Sequence, residues 1–292
     1  MKPASFRYVA ASDVADAVAL LTEHGDTAKL LAGGQSLVPM MNLRLSRPGV
    51  LIDLNRMPQR NTIAVEDGLL RVGLLVRQKE AEHSPIVLAQ IPLLAEAIAE
   101  IGHAQIRSRG TLVGSCCHAD PAAETPAVLL ALDGSVRVQG PQGAREIAAS
   151  DFFLGYFQTA LAPDEVATDL LFPIPAQGTG SAFLEFARRH GDFALVAVAA
   201  LVHLDAEGAV QGAALSLAGV GPSPLRATGA EQFLIGRRAE PAVLLEAARI
   251  AAQGIEPTDD VQASAAYRTQ LAQTLVERAL LIAASRAARE VA

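Results

Sequence analysis

Two short runs of this chain carry residue types that can hold a phosphate. The first is Leu31-Ala32-Gly33-Gly34-Gln35-Ser36-Leu37. An apolar strand that runs into two glycines and a serine exposes several backbone N–H groups with no side chain in the way, a concavity that suits an anion. The same residues also suit a plain tight turn between a strand and a helix. The run is neither G-x-G-x-x-G nor G-x-x-x-x-G-K-[ST] and lacks the downstream acidic partner of a dinucleotide fold. Neither a Rossmann site nor a P-loop is therefore expected.

The second run is Arg107 to Glu124, which holds Gly110, Thr111, Gly114, Ser115, Cys116, Cys117, His118, Asp120 and Pro121. It is polar and glycine-punctuated, with few periodic apolar positions, and reads as an irregular stretch that lets a backbone approach a bulky ligand. Asp120-Pro121 can open a helix, with Asp120 near the N-cap. His118 has no partners at metal-ligand spacing, so it reads as a loop histidine. Cys116 and Cys117 read as buried small hydrophobes. Ser36 and Ser115 stand outside G-x-S-x-G, which argues against a hydrolase. A third polar cluster, Arg188-Arg189-His190-Gly191-Asp192, reads as a solvated turn before a strand.

The whole chain bounds these readings. Its 292 residues suggest about two domains, and a 51% hydrophobic share is ample for a core. A net charge of −7 with 4% aromatics disfavours nucleic acid. Two adjacent cysteines supply neither a disulfide framework nor a four-thiolate cluster. The longest apolar run, Ala194 to Val202, is nine residues, short of the roughly 20 that span a bilayer. Met1 to Arg7 lacks the apolar stretch of a signal peptide, and a cytoplasmic location is expected.

The elements that must position the two runs follow from periodicity and breakers. Ser12 is expected to cap a helix with Val14, Ala17, Val18 and Leu21 on its apolar face, stopped by Gly25. Strands are expected at 28–32 and 50–54. Thr62–Glu66 and Leu69–Gly73 flank Asp67-Gly68 as a hairpin. A helix runs from Pro92 to a Gly102 stop, another spans 127–132, and strands lie at 135–138 and 165–172. Pro173 to Gly180 reads as a linker. Beyond it come strands at 193–204 and 210–220, then helices at 241–253 and from Ser264 to about Glu290. The last helix shows Tyr267, Leu271, Leu275 and Ala279 as its apolar stripe.

Taken in order, Ala32–Leu37, Gln105–Ser115, His118–Glu124 and Arg188–Ala194 resemble the FAD-binding medium subunit of the molybdenum hydroxylases, the carbon monoxide dehydrogenase and xanthine dehydrogenase type. The resemblance spans nearly the whole chain. It implies an α+β fold of the vanillyl-alcohol-oxidase type. Two α+β lobes, 1–57 and 58–177, grip FAD, and a C-terminal domain of antiparallel sheet and helices, 178–292, covers the flavin side. It places Leu31, Ala32, Gly33, Gly34, Gln35 and Ser36 on the diphosphate, with Thr111, Gly114 and Ser115 opposite. His118 and Asp120 fall beside the ribityl and flavin, and Glu124 where relatives carry an aspartate that bonds the ribityl chain.

The family's second loop has two consecutive glycines, and here the first is Val113. A valine held at positive φ there would cost about 1–3 kcal/mol; one that merely narrows the approach would shift the loop. The resemblance further implies a large partner holding the molybdenum cofactor and a small partner holding two [2Fe–2S] clusters, arranged as a dimer of heterotrimers. Electrons pass from the clusters through FAD to an external acceptor. Alternatives are a scaffold subunit without FAD and a self-sufficient flavin reductase. The substrate stays open among carbon monoxide, purines, N-heteroaromatics and aldehydes.

Overall fold

A computed structural model describes residues 1–58 and 61–291. The first lobe is a three-stranded parallel sheet. Strands β1 (Arg7–Ala10) and β2 (Ala28–Leu31) flank β3 (Val50–Asp53), with Arg7 and Ala28 both in register with Val50. Helix α1 (Val14–His24) buries Val14, Ala17, Val18 and Leu21 and connects β1 to β2; a short α2 (Leu37–Asn42) precedes β3. The cap of α1 is Asp13, not Ser12: Asp13 accepts from the Asp16 amide at 2.8 Å, while Ser12 donates twice to the Asp16 carboxylate. The carboxylate one residue on outcompetes the hydroxyl because charge-assisted bonds are stronger. Gly25 ends the helix at φ +50°.

The second lobe is a five-stranded antiparallel sheet interrupted by short helices. The hairpin β4 (Ile63–Glu66) and β5 (Leu69–Gly73) turns at Asp67 and Gly68, both at positive φ, as a two-residue primed turn requires. Helices α3 (Gln78–Glu82), α4 (Pro85–Gln90), α5 (Pro92–Glu100), α6 (Ala104–Arg107), α7 (Leu112–His118) and α8 (Glu124–Ala131) follow. Then come β6 (Ser135–Gly140), β7 (Gly143–Ala148), α9 (Ala149–Phe152), a small pair β8 (Phe153–Gly155) and β9 (Gln158–Thr159), and β10 (Val166–Pro173). The sheet order is β4-β5-β10-β6-β7. Strand β10 is central and buried along Val166–Phe172. Strand β7 escaped the sequence reading because it is an exposed edge with only Ile147 buried, which leaves no apolar alternation to detect.

The expected irregular stretch from Arg107 to Pro121 contains a helix, α7. Thr111 caps it by accepting from the Gly114 amide at 3.1 Å. Its apolar signal is only Leu112, Val113 and Cys116, too few for a period to stand out. Asp120 does not cap the next helix. It accepts from the Ala122 amide at 2.9 Å in a local turn, and α8 starts at Glu124 after Ala123.

The C-terminal part is a four-stranded antiparallel sheet backed by helices. β11 (Thr179–Phe186), β12 (Val196–Leu204), β13 (Val210–Ala218) and the short β14 (Leu225–Arg226) lie in that order, followed by α10 (Thr228–Leu234), α11 (Pro241–Gln253) and α12 (Ala265–Val291). Strand β11, unmarked in the sequence, starts inside the expected linker, and β12 starts at Val196 rather than Phe193. The buried stripe of α12 is Ala272, Leu275, Val276, Ala279, Leu280, Ala283 and Ala287, with Tyr267 exposed. Alanine is the reason for the shift: it packs at close range without standing out as hydrophobic, so the larger Tyr267 misleads, while Leu271 packs partly buried at the core's edge. Arg286, also bonded to Ser181 of its own sheet, ties this domain to the second lobe through Glu96, and Arg226 does so through Leu130 and Asp133.

Candidate functional site: a cleft between two glycine loops

Strand β2 delivers the first run to the carboxyl end of the parallel sheet, where open α/β sheets place their ligands. The run leaves β2 at Leu31 and enters α2 at Leu37. Gly34 sits at φ +73°, and a Cβ there would press on Leu31 and Val38 at 3.0 and 3.2 Å. Among the described residues no protein acceptor engages the amides of Gly33, Gly34, Gln35 and Ser36. Unpaired backbone donors are expensive to leave dry, so this bend can take an acceptor from outside the chain.

Gly33 has a different role from the one its motif suggests. A Cβ on it would collide with the carbonyl oxygen of Arg109 and sit 2.8 Å from the Cα of Gly110. The glycine permits backbone of the first bend to touch backbone of the second. Gly110 is equally constrained, since Gln78 fills the space where its Cβ would stand. The second run thus meets the first directly and then turns into α7, whose first-turn amides at Leu112 and Val113 have no helical acceptor. Val113 is helical and 1% exposed, outside the positive-φ residues. The strain expected of a valine there is absent.

The two runs frame a cleft of about 750 Å³, in the range of pockets that bury large organic ligands. Leu31, Ala32, Gly33, Gly34, Gln35, Ser36, Thr111, Gly114, Ser115, His118, Asp120 and Glu124 all line it. Also lining it are Gln78, Cys117, Phe157 and the Gly191–Phe193 turn. Gln78 had no signal in the sequence. It is 5% exposed and its amide oxygen has no partner among the described residues. Arg188, Arg189 and His190 are exposed, as a solvated turn predicts.

Burial sets the charge state of the cleft wall. Desolvation lowers the pKa of His118 below its ordinary value, against the pull of Asp120, and its ring stacks at a tilt on Phe157 at 5.1 Å. Burial raises the Glu124 carboxyl to about 7, with Asp120 and Glu100 adding repulsion. Glu185, behind it, is raised to about 9 by burial and by Glu124 and Glu100, and one of its oxygens is buried without a partner. Burial also pushes the Cys117 thiol up to about 12 and Cys116 well above its usual value. Near neutrality His118 and the two thiols are therefore uncharged while Glu124 is about half ionised, with no thiolate nucleophile and no cluster of metal ligands among the described residues. The arrangement suits binding of a large ligand with a negatively charged linkage better than acid–base or nucleophilic chemistry.

Residues 4–175 match the family described as FAD binding domain in molybdopterin dehydrogenase, and residues 181–283 match the CO dehydrogenase flavoprotein C-terminal domain. The alpha subunit of the 6-hydroxypseudooxynicotine dehydrogenase complex of Paenarthrobacter nicotinovorans is 43% identical over 98% of this chain and 97% of its own. The carbon monoxide dehydrogenase medium chain of Hydrogenophaga pseudoflava is 39% identical over 99% of this chain and 100% of its own. The solved carbon monoxide dehydrogenase of that organism superimposes with a TM-score of 0.95, covering 98% of this chain and 99% of the other. Quinoline 2-oxidoreductase from Pseudomonas putida 86 gives 0.94 at 34% identity, covering 99% of this chain and 100% of the other. The chain belongs to the FAD-binding medium subunits of the molybdenum hydroxylases. These are subunits of oxidoreductase complexes. Among the described residues no helix is long and apolar enough to cross a membrane.

Proposed function

We propose that the cleft binds FAD through the twelve residues named from the sequence. Residues 31–36 and the Thr111–Ser115 turn would take the diphosphate from opposite sides, with His118, Asp120 and Glu124 along the ribityl and flavin end. The observation that carries this reading is the row of unengaged amides at Gly33–Ser36 facing a cleft that the second run closes. FAD, when bound, supplies redox chemistry that can accept electrons singly and release them in pairs.

The chain's own part is positional and electrostatic. Backbone N–H groups of the bend would face the diphosphate, with Lys29 also among the residues lining the cleft. Gly34 holds the bend at a positive φ that side chains rarely adopt. The uncharged His118 and Cys117, with Glu124 protonated about half the time near neutrality, limit the negative charge set against the cofactor as it is reduced. No group here needs to transfer a proton to substrate, because the substrate would meet a partner.

The partners follow from the relatives' composition as medium or alpha subunits. We assign this chain a large partner with the molybdenum cofactor and a small one with two [2Fe–2S] clusters, in a dimer of heterotrimers located in the cytoplasm. Electrons would pass from the clusters through this chain to an external acceptor. The division at 1–57, 58–177 and 178–292 belongs to the same proposal. A scaffold role without FAD had Val113 as its motive, and its helical, unstrained placement removes that motive.

The test is direct. The purified chain, stripped and titrated with FAD, should quench flavin fluorescence to a one-to-one end point and acquire a structured visible spectrum. A folded, colourless chain with no saturable quenching overturns the proposal.

A further inference from the structure

We propose that Arg77 and Asn55 form a staple that holds the two clamp loops together before the cofactor arrives, making them positioning residues for its binding; this rests on the FAD reading above.

The two loops come from different lobes, so nothing in either lobe's own sheet fixes their separation. Arg77 stands on the second lobe. Its backbone bridges to Thr111, and the next residue's amide, on Gln78, donates to the carbonyl of Gly110 at 2.9 Å. Its guanidinium reaches both ways. One arm donates to the carbonyl oxygen of Arg109 at 2.7 Å, and the other to Oδ1 of Asn55 on the first lobe. Asn55 passes the connection on: its Nδ2 donates to the carbonyl oxygen of Ala32 at 2.9 Å, at the entrance of the first loop.

Behind Asn55, Asp53 accepts from its backbone amide at 3.0 Å, and from Tyr8 at 2.6 Å. These bonds hold the Asp53 carboxyl below its ordinary pKa even though burial opposes them. The chain of contacts therefore runs from β1 and β3 of the first lobe to the carbonyl of Arg109.

Two features mark this as positioning and not ligation. Arg77, Asn55, Asp53 and Arg109 do not line the cleft. The carbonyls held by the staple are also those beside the loop contact itself, since Arg109's oxygen is the atom a Cβ on Gly33 would strike. The orientation of Asn55 is forced as well. A guanidinium only donates and a peptide carbonyl only accepts, so Oδ1 must face Arg77 and Nδ2 must face Ala32. A lysine carries the same charge, but its single ammonium lacks the planar fork that spans two acceptors on opposite lobes.

The experiment uses the full chain and two measurements: FAD affinity by flavin-fluorescence quenching, and amide hydrogen exchange of the FAD-free chain over residues 31–37 and 108–114. Arg77→Ala should weaken FAD about tenfold or more, and Arg77→Lys nearly as much. Asn55→Ala should match them, and the double variant should be no weaker than the weaker single within about twofold, because both remove the same connection. In each variant exchange should rise in both loops, with α1 unchanged. Arg77→Lys that binds like the parent chain would overturn the staple in favour of simple charge attraction. Additive losses, or unchanged loop exchange, would overturn it too. Should Arg77→Ala fail to fold, Arg77→Lys and Asn55→Ala decide. If the parent chain binds no FAD, the functional proposal falls while loop exchange still tests the staple.

Discussion

Gly33 and Gly180 pose the same steric problem in two parts of the molecule and solve it for different ends. A Cβ on Gly33 would strike Arg109 and Gly110; one on Gly180 would strike the backbone of Ala283 and Ala287 on α12. Both are glycine because two main chains touch. Gly180 sits in the regular β11–β12 ladder against the backbone of α12, with no bend left open to a ligand. Around Gly33 four successive amides have no protein acceptor among the described residues. A glycine at a close approach thus says nothing by itself about function. Backbone donors left unpaired beside it do.

Substitutions at the two glycines separate scaffold from site. Gly180→Val should cause the largest loss of stability, about 3–4 kcal/mol, read as a Tm drop of roughly 6–12 °C, because the neighbouring atoms are helix backbone and cannot yield. Gly33→Val should leave the Tm of the FAD-free chain within a few degrees and weaken FAD about a hundredfold, since it pries apart two irregular bends that can shift more freely than a helix backbone. Equal Tm losses at the two positions would erase the contrast.

Val113→Gly would restore the family's glycine pair. Because Val113 is a buried helical residue, the change should cost about 2–3 kcal/mol from lost burial and helix propensity, with FAD affinity no better. An affinity gain would mean the loop needs a conformation that valine blocks.

Glu185 sharpens the comparison through pH. Its folded pKa is about 9, above the unfolded carboxylate value, so the folded state binds more protons between those limits. Stability must then fall as pH rises from about 4.5 to 9. Glu185→Gln should raise the Tm by several degrees at pH 9, change it little at pH 5, and flatten the profile between. A parallel shift at both pH values would refute the buried neutral carboxyl. The smallest effect concerns the thiols: with Cys117 near 12 and Cys116 raised further, alkylation at pH 8 should wait for unfolding. Rapid labelling of the native chain would show one of them exposed.

Several elements were legible in the residues because each rests on a local rule. Asp67-Gly68 dictates its hairpin, Pro92 and Gly102 bound α5, and Gly25 stops α1. The twelve residues of the expected site do line one cleft. Elements without an apolar period were not legible: β7 is an exposed edge, β11 follows a proline-rich run, and α7 is too short for its period to emerge. Asp13 displaced Ser12 as a cap, and Asp120 turned out to stabilise a turn, because neighbouring polar groups compete for the same amide.

By itself the amino-acid sequence determined the two glycine-bearing bends, their order along the chain and the strand that leads into the first, since turn chemistry and strand patterning act over a few residues. Only the tertiary structure decided that the bends touch, that this contact is what demands a glycine at position 33, and that Gln78, Arg77 and Asn55 stand around it. Those facts depend on how two lobes pack, and packing brings together residues 22 to 77 positions apart whose pairing leaves no periodic trace.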